Sequence, residues 1–257
     1  MDLPPGCNST LDKKNQVCKL IKSLYGLKQS PMAWFGRFTK SMKNFGYTQS
    51  NSDHTLFLKC DEGKLTALIV YVDDIIVTEN DTEEQLKLQN YLSQEFEMKD
   101  LGDLKYFLII EVARSKTSIF LSQRKYVIDL LTKTGMLGCK PADTPIEMNH
   151  KLCEDMDQEP TNKEQYQSLV GRLIYLAHTR PNIAYAVSVV SQFMHSPNVS
   201  HRNAVDQILR YLKLAPEKGL MFSKNGDLEV VGYTDANWAD SIIARRSTSG
   251  YFTFVGG

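Results

Sequence analysis

The sequence predicts an α+β fold built on an antiparallel sheet, and three observations support this prediction. Two apolar runs, Leu65–Val72 and Ile75–Val77, are aliphatic enough for strands, and only Asp73 and Asp74 separate them, which is typical of a hairpin. Aromatic and aliphatic residues recur at helical spacing in several longer stretches. Strand-like runs return near the end of the sequence.

Length and composition limit the class of protein. The 257 residues allow one large domain or two or three small ones, and a hydrophobic content of 42% is ordinary for a globular protein. The longest apolar run is too short to span a bilayer, and the first residues lack a signal-peptide pattern. The five cysteines include no CxxC pair, which argues against a zinc knuckle or a disulfide framework. We therefore expect a cytoplasmic or nuclear protein that is neither secreted nor bound to a membrane.

Charge is distributed unevenly along a chain whose net charge is zero. Residues 1–50 contain eight Lys or Arg and two Asp, a net of +6, whereas residues 51–111 contain five Lys and fourteen Asp or Glu, a net of −9. A basic segment beside an acidic one fits a protein that binds both phosphate and metal ions. Two ordinary solvated faces would give the same distribution, so both interpretations stay open.

The first predicted helix begins at Ser30 and Pro31, a capping residue followed by proline at the first helical position. Its apolar face consists of Trp34, Phe35, Phe38, Met42 and Phe45. Gly46 is a suitable residue to end it. The stretch Gly26–Gln29 lies just before the helix, where anions are favoured, and its glycine permits close approach of a ligand.

The predicted hairpin places Asp73 and Asp74 at its tip. Alternation along the strands points their side chains to opposite faces, so one carboxylate can face a reaction centre while the other supports it or faces a second ion. Carboxylate oxygens suit Mg²⁺, which completes its shell with water and substrate phosphate. An ordinary turn would contain the same residues, and the hairpin alone does not decide between these interpretations.

A second helix is predicted from the acidic stretch Asp81–Glu84, because carboxylates favour the first helical turn. Its apolar face consists of Leu86, Leu88, Tyr91, Leu92 and Phe96. A turn over Asp100–Asp103 leads into a strand over Lys105–Val112, which pairs with a strand over Ser118–Ser122. A third helix covers Tyr126–Leu131.

Residues 137–165 have the composition of a linker, with three prolines, many polar residues and no periodicity. The elements predicted after it are helices over Gln165–His178, Pro181–His195 and Val199–Leu214, strands over Leu220–Ser223 and Leu228–Thr234, and a last hairpin over Ser247–Val255. Asp235 is expected at the end of the strand that precedes the last hairpin.

Six stretches form an ordered set of motifs. They are Leu24–Pro31 with Trp34 (LYGLKQSP, then W), Tyr71–Asp74 (YVDD), Phe96–Leu108 (FEMKDLGDLKYFL), Thr179–Ala184 (TRPNIA), Ile208–Lys213 (ILRYLK) and Gly232–Tyr251 (GYTDANWA, then RSTSGY). Each resembles, in the same order, a motif of the reverse transcriptase region of copia-type retrotransposon Pol polyproteins, and the last resembles the opening of the attached ribonuclease H. The set covers nearly the whole chain and is far more specific than YVDD alone.

The resemblance implies RNA-templated addition of deoxynucleotides to a DNA primer, with the RNA template, the primer and deoxynucleotides as partners and Mg²⁺ or Mn²⁺ as the cofactor. Asp73 would be a direct metal ligand and Asp74 a nearby acidic partner. The residues implied on the nucleotide and template side are Tyr25, Gly26, Lys28, Gln29, Tyr71 and Lys99. The implied primer grip contains Tyr106, Phe107 and Leu108. Asp235 would be the first catalytic, metal-binding carboxylate of the ribonuclease H.

The implied fold is the palm and thumb of a right-hand polymerase, followed by a helical connection and the opening strands of a ribonuclease H-like domain. The expected regions are fingers and palm over residues 1–111, a thumb-like region and the start of a linker over 112–150, the linker and helical connection over 151–219, and the ribonuclease H-like region over 220–257.

The sequence departs from the family pattern at four places. The family's first catalytic carboxylate lies on a strand upstream of the SLYGLKQ segment, and no such strand is present. The sequence also stops before the segment that supplies the glutamate partner of Asp235. Ile109 stands where the family has glycine, which would be costly if that position needs a positive φ. Ala244 stands where the family has aspartate.

Three hypotheses remain open from the sequence. In the first, which we favour, the chain is a truncated and inactive copy. In the second, it is a working polymerase whose missing carboxylate comes from another Pol-derived chain or from an upstream region. In the third, it is a module that binds RNA or primer–template duplex without catalysis. Metal-dependent synthesis would separate the second from the others, and salt-dependent binding without synthesis would mark the third. We also expect poor solubility, because a missing palm strand would expose the edge of its neighbour.

Overall fold

The computed structural model describes residues 26–72, 74–79, 81–147, 150, 152–153, 158–223, 229–237 and 248–255. Tyr25, Asp73 and Ala244, which the sequence singles out, lie outside these residues. The chain forms two compact units, Met1–Gly102 and Asp103–Gly257.

The first unit combines two helices with a four-stranded antiparallel sheet. In chain order its elements are α1 (Ser30–Asn44), β1 (Thr48–Gln49), β2 (Leu56–Asp61), β3 (Lys64–Tyr71), β4 (Asp74–Glu79) and α2 (Thr82–Glu95). Each strand pairs with the next one along the chain, so the sheet order is β1-β2-β3-β4. The predicted hairpin and both predicted helices of this unit are confirmed.

The sequence predicts the C-terminal end of α1 correctly but not its N-terminal cap. Ser30 is the first helical residue and not the cap; Gln29 occupies the cap position and makes no side-chain hydrogen bond there. At the other end Gly46 has a φ of +94°. The amides of Gly46 and Tyr47 donate to carbonyls of the last turn at 3.1 and 3.0 Å, which is the pattern of a Schellman motif. The predicted end is confirmed and the predicted Ser30 cap is wrong.

The core of the first unit lies between the helices and one face of the sheet. Its buried hydrophobic residues are Phe38, Met42, Tyr47, Phe57, Leu68, Val70, Leu88 and Leu92. Leu86 was predicted to join them, but its side chain is 55% exposed. The buried positions of α2 are Glu84, Leu88 and Leu92, four residues apart, and a residue two positions from Leu88 faces the opposite side of a helix.

The second unit contains four α-helices and two antiparallel sheets among its described residues. Its elements are β5 (Tyr106–Phe107), β6 (Ile110–Arg114), β7 (Ser118–Ser122), α3 (Arg124–Lys133), α4 (Lys163–Ala177), α5 (Ala184–Ser191), α6 (Val199–Leu214), β8 (Gly219–Ser223), β9 (Val230–Asn237) and β10 (Thr248–Val255). The helix predicted over Pro181–His195 is shorter, because a 3₁₀ turn occupies Pro181–Ile183 and α5 ends at Ser191.

Two strand predictions in this unit are wrong. The strand predicted over Lys105–Val112 is a hairpin, with β5 and β6 joined by a turn at Leu108 and Ile109. An uninterrupted apolar run without Gly, Asn or Pro gives no signal for such a turn. The hairpin predicted over Ser247–Val255 is the single strand β10, which pairs with β9 along its length.

Strand β8 returns to the sheet that begins near the start of the unit. It pairs with β7, so the sheet order is β5-β6-β7-β8. Gly219 lets the two strands approach, because a Cβ atom there would lie 2.0 Å from the carbonyl oxygen of Leu121. Strand β8, which follows the helices, is therefore hydrogen-bonded to β7, which precedes them.

The core of the second unit is formed by its helices. The buried residues are Val127, Leu130, Leu131, Tyr166, Leu169, Val170, Leu173, Leu176, Ile183, Ala186, Val187, Val190, Val205, Ile208, Leu209 and Leu212. All four predicted helical stretches contribute to this cluster, as expected for helices that each bury one apolar face.

Candidate functional site

The tip of the β3–β4 hairpin is the first candidate site. Tyr71 and Asp74 are partners in the sheet register, so Val72 and Asp73 form a two-residue connection. Val72 has a φ of +51°, as the favoured two-residue hairpin turns require of their first residue. This conformation is unfavourable for a β-branched side chain and costs on the order of 1–3 kcal/mol. The strained residue lies immediately before the two aspartates.

The described side chains at this tip face solvent. Tyr71 and Val72 are 51% and 72% exposed, and Asp74 is also exposed. Behind the tip, the alternate residues Leu68 and Val70 of β3 are buried in the core, which fixes the strand. The hairpin therefore presents the Asp74 carboxylate to solvent from a rigid support.

The acidic tip fits a hard divalent cation in the chemistry of its donors, because carboxylate oxygens are the ligands that Mg²⁺ prefers. Among the described residues no group of three or more His, Cys, Asp or Glu side chains could hold a metal ion. Asp74 is the described candidate ligand of this site, and Asp73 lies outside the described residues.

The predicted nucleotide and template residues divide between two places in the first unit. Gly26, Lys28 and Gln29 are exposed and lie directly before the first residue of α1. Gly26 has a φ of +86°, a conformation that favours glycine. This arrangement suits an anion, because amide groups point outward from a helix N-terminus.

Lys99 lies beyond α2 and is also exposed. The next residue, Asp100, accepts hydrogen bonds from Gln89 Nε2 at 2.6 Å and from the amide of Gly102 at 2.8 Å. These bonds fix the segment that begins just after Lys99. Within the part of the chain that the structure describes, the Lys99 side chain makes no ion pair, so its ammonium is available to a ligand.

The predicted primer-grip residues form a hairpin in the second unit. Tyr106 is 51% exposed, whereas Phe107 and Leu108 are half-buried. Both turn residues have positive φ values, +48° for Leu108 and +65° for Ile109. The position at which the family has glycine thus does adopt the left-handed conformation, and Ile109 is strained there.

The residue that holds this turn was not predictable from the sequence. The Tyr175 hydroxyl, in α4, donates a hydrogen bond to the carbonyl oxygen of Leu108. The Tyr175 ring packs edge-on against Tyr126, with ring centroids 5.9 Å apart. A tyrosine on a helix is usually a core residue, so no signal in the sequence could have assigned it this contact.

Arg180, part of the TRPNIA stretch, is a second residue whose role the sequence did not reveal. It is 2% exposed, and its Nη1 donates to the carbonyl of Ala215, at the end of α6, at 3.0 Å. Burial lowers the pKa of the Arg180 guanidinium below its usual range. The contact shows that Arg180 holds the C-terminus of α6.

Asp235 lies within β9 rather than at its end. It is exposed and is paired in the register with Gly250 of β10. The two-stranded sheet thus presents this carboxylate from the interior of a strand.

The chain matches a reverse transcriptase family model and several Pol polyproteins. The family model described as reverse transcriptase (RNA-dependent DNA polymerase) matches residues 1–148. The Retrovirus-related Pol polyprotein from transposon RE1 of Arabidopsis thaliana is 42% identical over 256 residues, which is 100% of this chain and 17% of the polyprotein. The corresponding polyprotein from transposon TNT 1-94 of Nicotiana tabacum is 40% identical over 268 residues, 100% of this chain and 20% of its own length.

A shorter relative matches most of its own length. The uncharacterized mitochondrial protein AtMg00810 of Arabidopsis thaliana is 40% identical over 191 residues, 74% of this chain and 78% of that protein. The chain spans a fifth or less of the Pol polyproteins that it resembles. No solved structure matches the chain. None of the helices in the described residues is long and apolar enough to cross a membrane.

Proposed function

The chain belongs to the reverse transcriptase (RNA-dependent DNA polymerase) family, and from this premise we propose that it is the polymerase region of a copia-type Pol polyprotein, whose reaction is the extension of a DNA primer on an RNA template. Primer extension decides between an active chain and the inactive copy that the sequence favours. Reverse transcriptases act on nucleic-acid templates and nucleotide substrates and use divalent metal ions. The observation that supports the proposal most strongly is the β3–β4 hairpin, whose strained two-residue connection joins a buried strand to an exposed Asp74.

Asp73 and Asp74 are the residues we assign to the metal ions, Mg²⁺ or Mn²⁺. Bound there, the ions would stabilise the charge that develops on the attacking and leaving oxygens of phosphoryl transfer. Asp73 is the direct ligand and Asp74 the neighbouring carboxylate. The family's further carboxylate lies on a strand upstream of the SLYGLKQ segment, so these two residues supply only part of the metal-binding set.

The basic stretch before α1 supplies the nucleotide and template side of the proposed site. Tyr25, Gly26, Lys28 and Gln29 are assigned there, together with Tyr71 and Lys99. The exposed side chains of Lys28 and Lys99 are cations that can pair with the phosphates of an incoming nucleotide or of the template strand. Tyr71 presents its ring beside Asp74, where a base or sugar could contact it.

The hairpin that contains Tyr106, Phe107 and Leu108 is the proposed primer grip. Its strained turn, held by Tyr175, supports this assignment, because strained backbone is concentrated at sites that bind ligands. We further propose that the chain divides into palm, thumb, connection and ribonuclease H-like regions at the expected boundaries, with Asp235 as the first carboxylate of the ribonuclease H site.

Primer extension tests the polymerase proposal. The purified chain is incubated with an RNA template, an annealed DNA primer, deoxynucleotides and Mg²⁺ or Mn²⁺, alone and joined to the upstream strand that supplies the family's further carboxylate. Synthesis should disappear in Asp73→Asn and Asp74→Asn. The matched control is Asp61→Asn, which removes an exposed carboxylate from the last residue of β2. Asp61 lies opposite Lys64 in the sheet register, so it is at the other end of β3 from Asp74.

Three outcomes distinguish the candidate functions. Synthesis that needs Asp73 and Asp74 but not Asp61 supports the polymerase. If the chain alone and the chain joined to the upstream strand both bind primer–template in a salt-dependent way, and neither synthesises DNA, the result favours a non-catalytic binding module. The exposed basic residues would contribute to that binding. Synthesis that persists in both aspartate variants would exclude the proposed metal site.

A further inference from the structure

The described part of the linker, residues 137–165, lies along α6. Hydrogen bonds join the two, and the linker residues and their helix partners are Cys139 with Lys213, Ala142 with Arg210, Thr144 with Gln207, Cys153 with His201, and Glu159 with Val199. Later linker residues have earlier partners on α6, so the linker runs antiparallel to the helix. Between Lys213 and His201 the helix rises about 18 Å.

His201 connects the linker to the first turn of α6 through a buried imidazole. The residue is 0% exposed, and its ring stacks on Phe193 with the ring centroids 3.8 Å apart and the planes 11° apart. Beside it, the amide of Thr161 donates a hydrogen bond to the carbonyl of Pro197 at 3.1 Å. The linker and the start of α6 therefore meet around a ring that can take up a proton.

Two hydrogen bonds to the backbone fix the protonation state of this ring. Nδ1 of His201 accepts from the amide of Asn198 at 3.1 Å, and a ring nitrogen that accepts carries no proton. Nε2 lies 3.1 Å from the carbonyl oxygen of Cys153, which can only accept, so Nε2 carries the proton. The first bond is half of a capping box, whose other half runs from the amide of His201 to Asn198 Oδ1 at 3.0 Å. The geometry requires a neutral imidazole.

A second proton on His201 is incompatible with this arrangement. An imidazolium donates from both nitrogens, so Nδ1 could no longer accept from the Asn198 amide. The positive charge would also lie away from water at the N-terminus of a helix, and both conditions disfavour a cation. Protonation therefore favours a state in which the ring leaves its position and the carbonyl of Cys153 loses its donor.

Other ionisable groups near this ring face solvent or belong to other contacts. Among the described residues of the surrounding elements they are Arg202 and Asp206 on α6, His150, Cys153 and Glu159 on the linker, and His195 after α5. Arg202 Nε donates to Asp206 at 2.9 Å, so these two charges offset each other. Glu159 and His195 are exposed, and exposed charges are screened by water and salt. Burial and the two backbone bonds therefore dominate the response of the imidazole to acid.

We propose that His201 forms an acid-sensitive clasp, which holds the linker against the start of α6 while the imidazole is neutral and releases it when the imidazole takes up a proton. The clasp consists of His201, Asn198 and the carbonyl of Cys153. An imidazole in water takes up its proton near pH 6.5, so the attached linker is favoured above this pH and is lost progressively below it. The bond between Ala142 and Arg210, near the other end of α6, joins two backbone groups that do not titrate.

Amide hydrogen exchange of the full chain, followed residue by residue by NMR from about pH 7.5 to about pH 5.5, tests the clasp. The reporters are the amides of Asn198, Val199 and Thr161, each of which donates a hydrogen bond at the clasp. The reference is the amide of Ala142, which donates to the carbonyl of Arg210 at 3.3 Å. Protection factors compare each amide with an unstructured peptide at the same pH, which removes the pH dependence of the exchange chemistry itself.

The protection factors of the three reporters should fall by up to about tenfold for each pH unit below about 6.5, whereas that of Ala142 should stay constant. His201→Gln should abolish the fall, because glutamine at this position of a capping box can accept from the Asn198 amide and does not titrate. The matched control, His195→Gln, removes an exposed histidine outside the clasp and should keep the fall. Circular dichroism and thermal melting check that both variants fold.

Three results would overturn the clasp. The first is a set of reporter protection factors that do not change with pH. The second is a fall that the Ala142 amide shares, which would indicate general acid unfolding, and the third is a fall that persists in His201→Gln.

If His201→Gln does not fold, long-range proton–nitrogen NMR of the histidine rings in the unchanged chain decides the question. A neutral ring with its proton on Nε2 at about pH 7.5, which becomes protonated as the reporters lose protection, supports the clasp. A His201 ring that already carries a proton on Nδ1 at that pH overturns it.

Discussion

The Tyr175 hydroxyl donates a hydrogen bond to the Leu108 carbonyl across 67 positions of the sequence. Leu108 is the first of two turn residues with positive φ, and the second, Ile109, is β-branched. A helix of the core thereby holds a turn that local sequence preferences disfavour. The proposed primer grip depends on tertiary structure for its conformation.

Removing that hydroxyl should loosen the turn. We expect Tyr175→Phe to lower the free energy of unfolding by about 1 kcal/mol, the usual contribution of one hydrogen bond, because the ring packing against Tyr126 is kept. Urea denaturation followed by circular dichroism measures the change. The control is Tyr185→Phe, since Tyr185 is 55% exposed and its hydroxyl has no hydrogen bond within the described residues. Equal stability of both variants and the unchanged chain would show that the bond contributes nothing.

The strained turn should be relieved by glycine. Ile109→Gly is expected to raise the free energy of unfolding by about 0.5–1 kcal/mol. A left-handed conformation costs a residue with a Cβ about 1–2 kcal/mol, which glycine avoids, but glycine also makes the unfolded chain more flexible, and this entropy offsets part of the gain. Thermal melting of Ile109→Gly and Ile109→Ala makes the comparison, since alanine loses the same branched side chain but keeps the Cβ. A glycine variant no more stable than the alanine variant would contradict strain at φ +65°.

Arg180 should be important for folding rather than for ligand binding. Arg180→Met keeps most of the volume of this buried side chain but leaves the carbonyl of Ala215, at the end of α6, without its donor, and we expect a loss of about 2–3 kcal/mol. The comparison is Arg202→Met, which breaks a partly exposed pair with Asp206 and should cost under about 1 kcal/mol. Chemical denaturation of the two variants should separate them clearly; similar losses would mean that the Arg180 hydrogen bonds are not specific.

Protonation of Asp81 should lower the free energy of unfolding of the first unit at acidic pH. Its carboxylate accepts a hydrogen bond from Lys64 Nζ at 3.1 Å and caps α2 through the amide of Glu83. The Lys64 bond, more than the helix amides, holds the pKa of Asp81 below its ordinary value of 3.8. Because the folded state has the lower pKa, the stabilisation is present above pH 3.8 and is lost as the pH falls through the lowered value.

An NMR titration of the Asp81 carboxyl carbon measures this pKa directly. In Lys64→Met the pKa should rise towards 3.8. Lys87→Met removes a lysine from the exposed face of α2 and should leave the Asp81 pKa where it was. A value unaffected by Lys64→Met would assign the effect to the helix cap alone.

Much of the first unit was predictable because its signals are local. The acidic start of α2, the Schellman end of α1 and the two apolar runs around Asp73 and Asp74 each depend on residues a few positions apart. The ordered motifs likewise identified the family from short stretches, and the matches to Pol polyproteins confirm that resemblance. The assignment of Asp73, Asp74 and Asp235 to metal ions remains a prediction.

The sequence by itself determined the family, the order of the helices and the existence of the β3–β4 hairpin, because periodicity and capping are properties of neighbouring residues. The connection of that hairpin lies one residue earlier than the Asp73–Asp74 turn that the apolar runs predict, since Tyr71 pairs with Asp74. Only the tertiary structure decided that the run Lys105–Val112 reverses at Leu108 and Ile109, that β8 pairs with β7, and that Tyr175 and Arg180 hold distant backbone. These features depend on contacts between residues far apart in the chain, whose free energy can outweigh a local preference of about 1–2 kcal/mol.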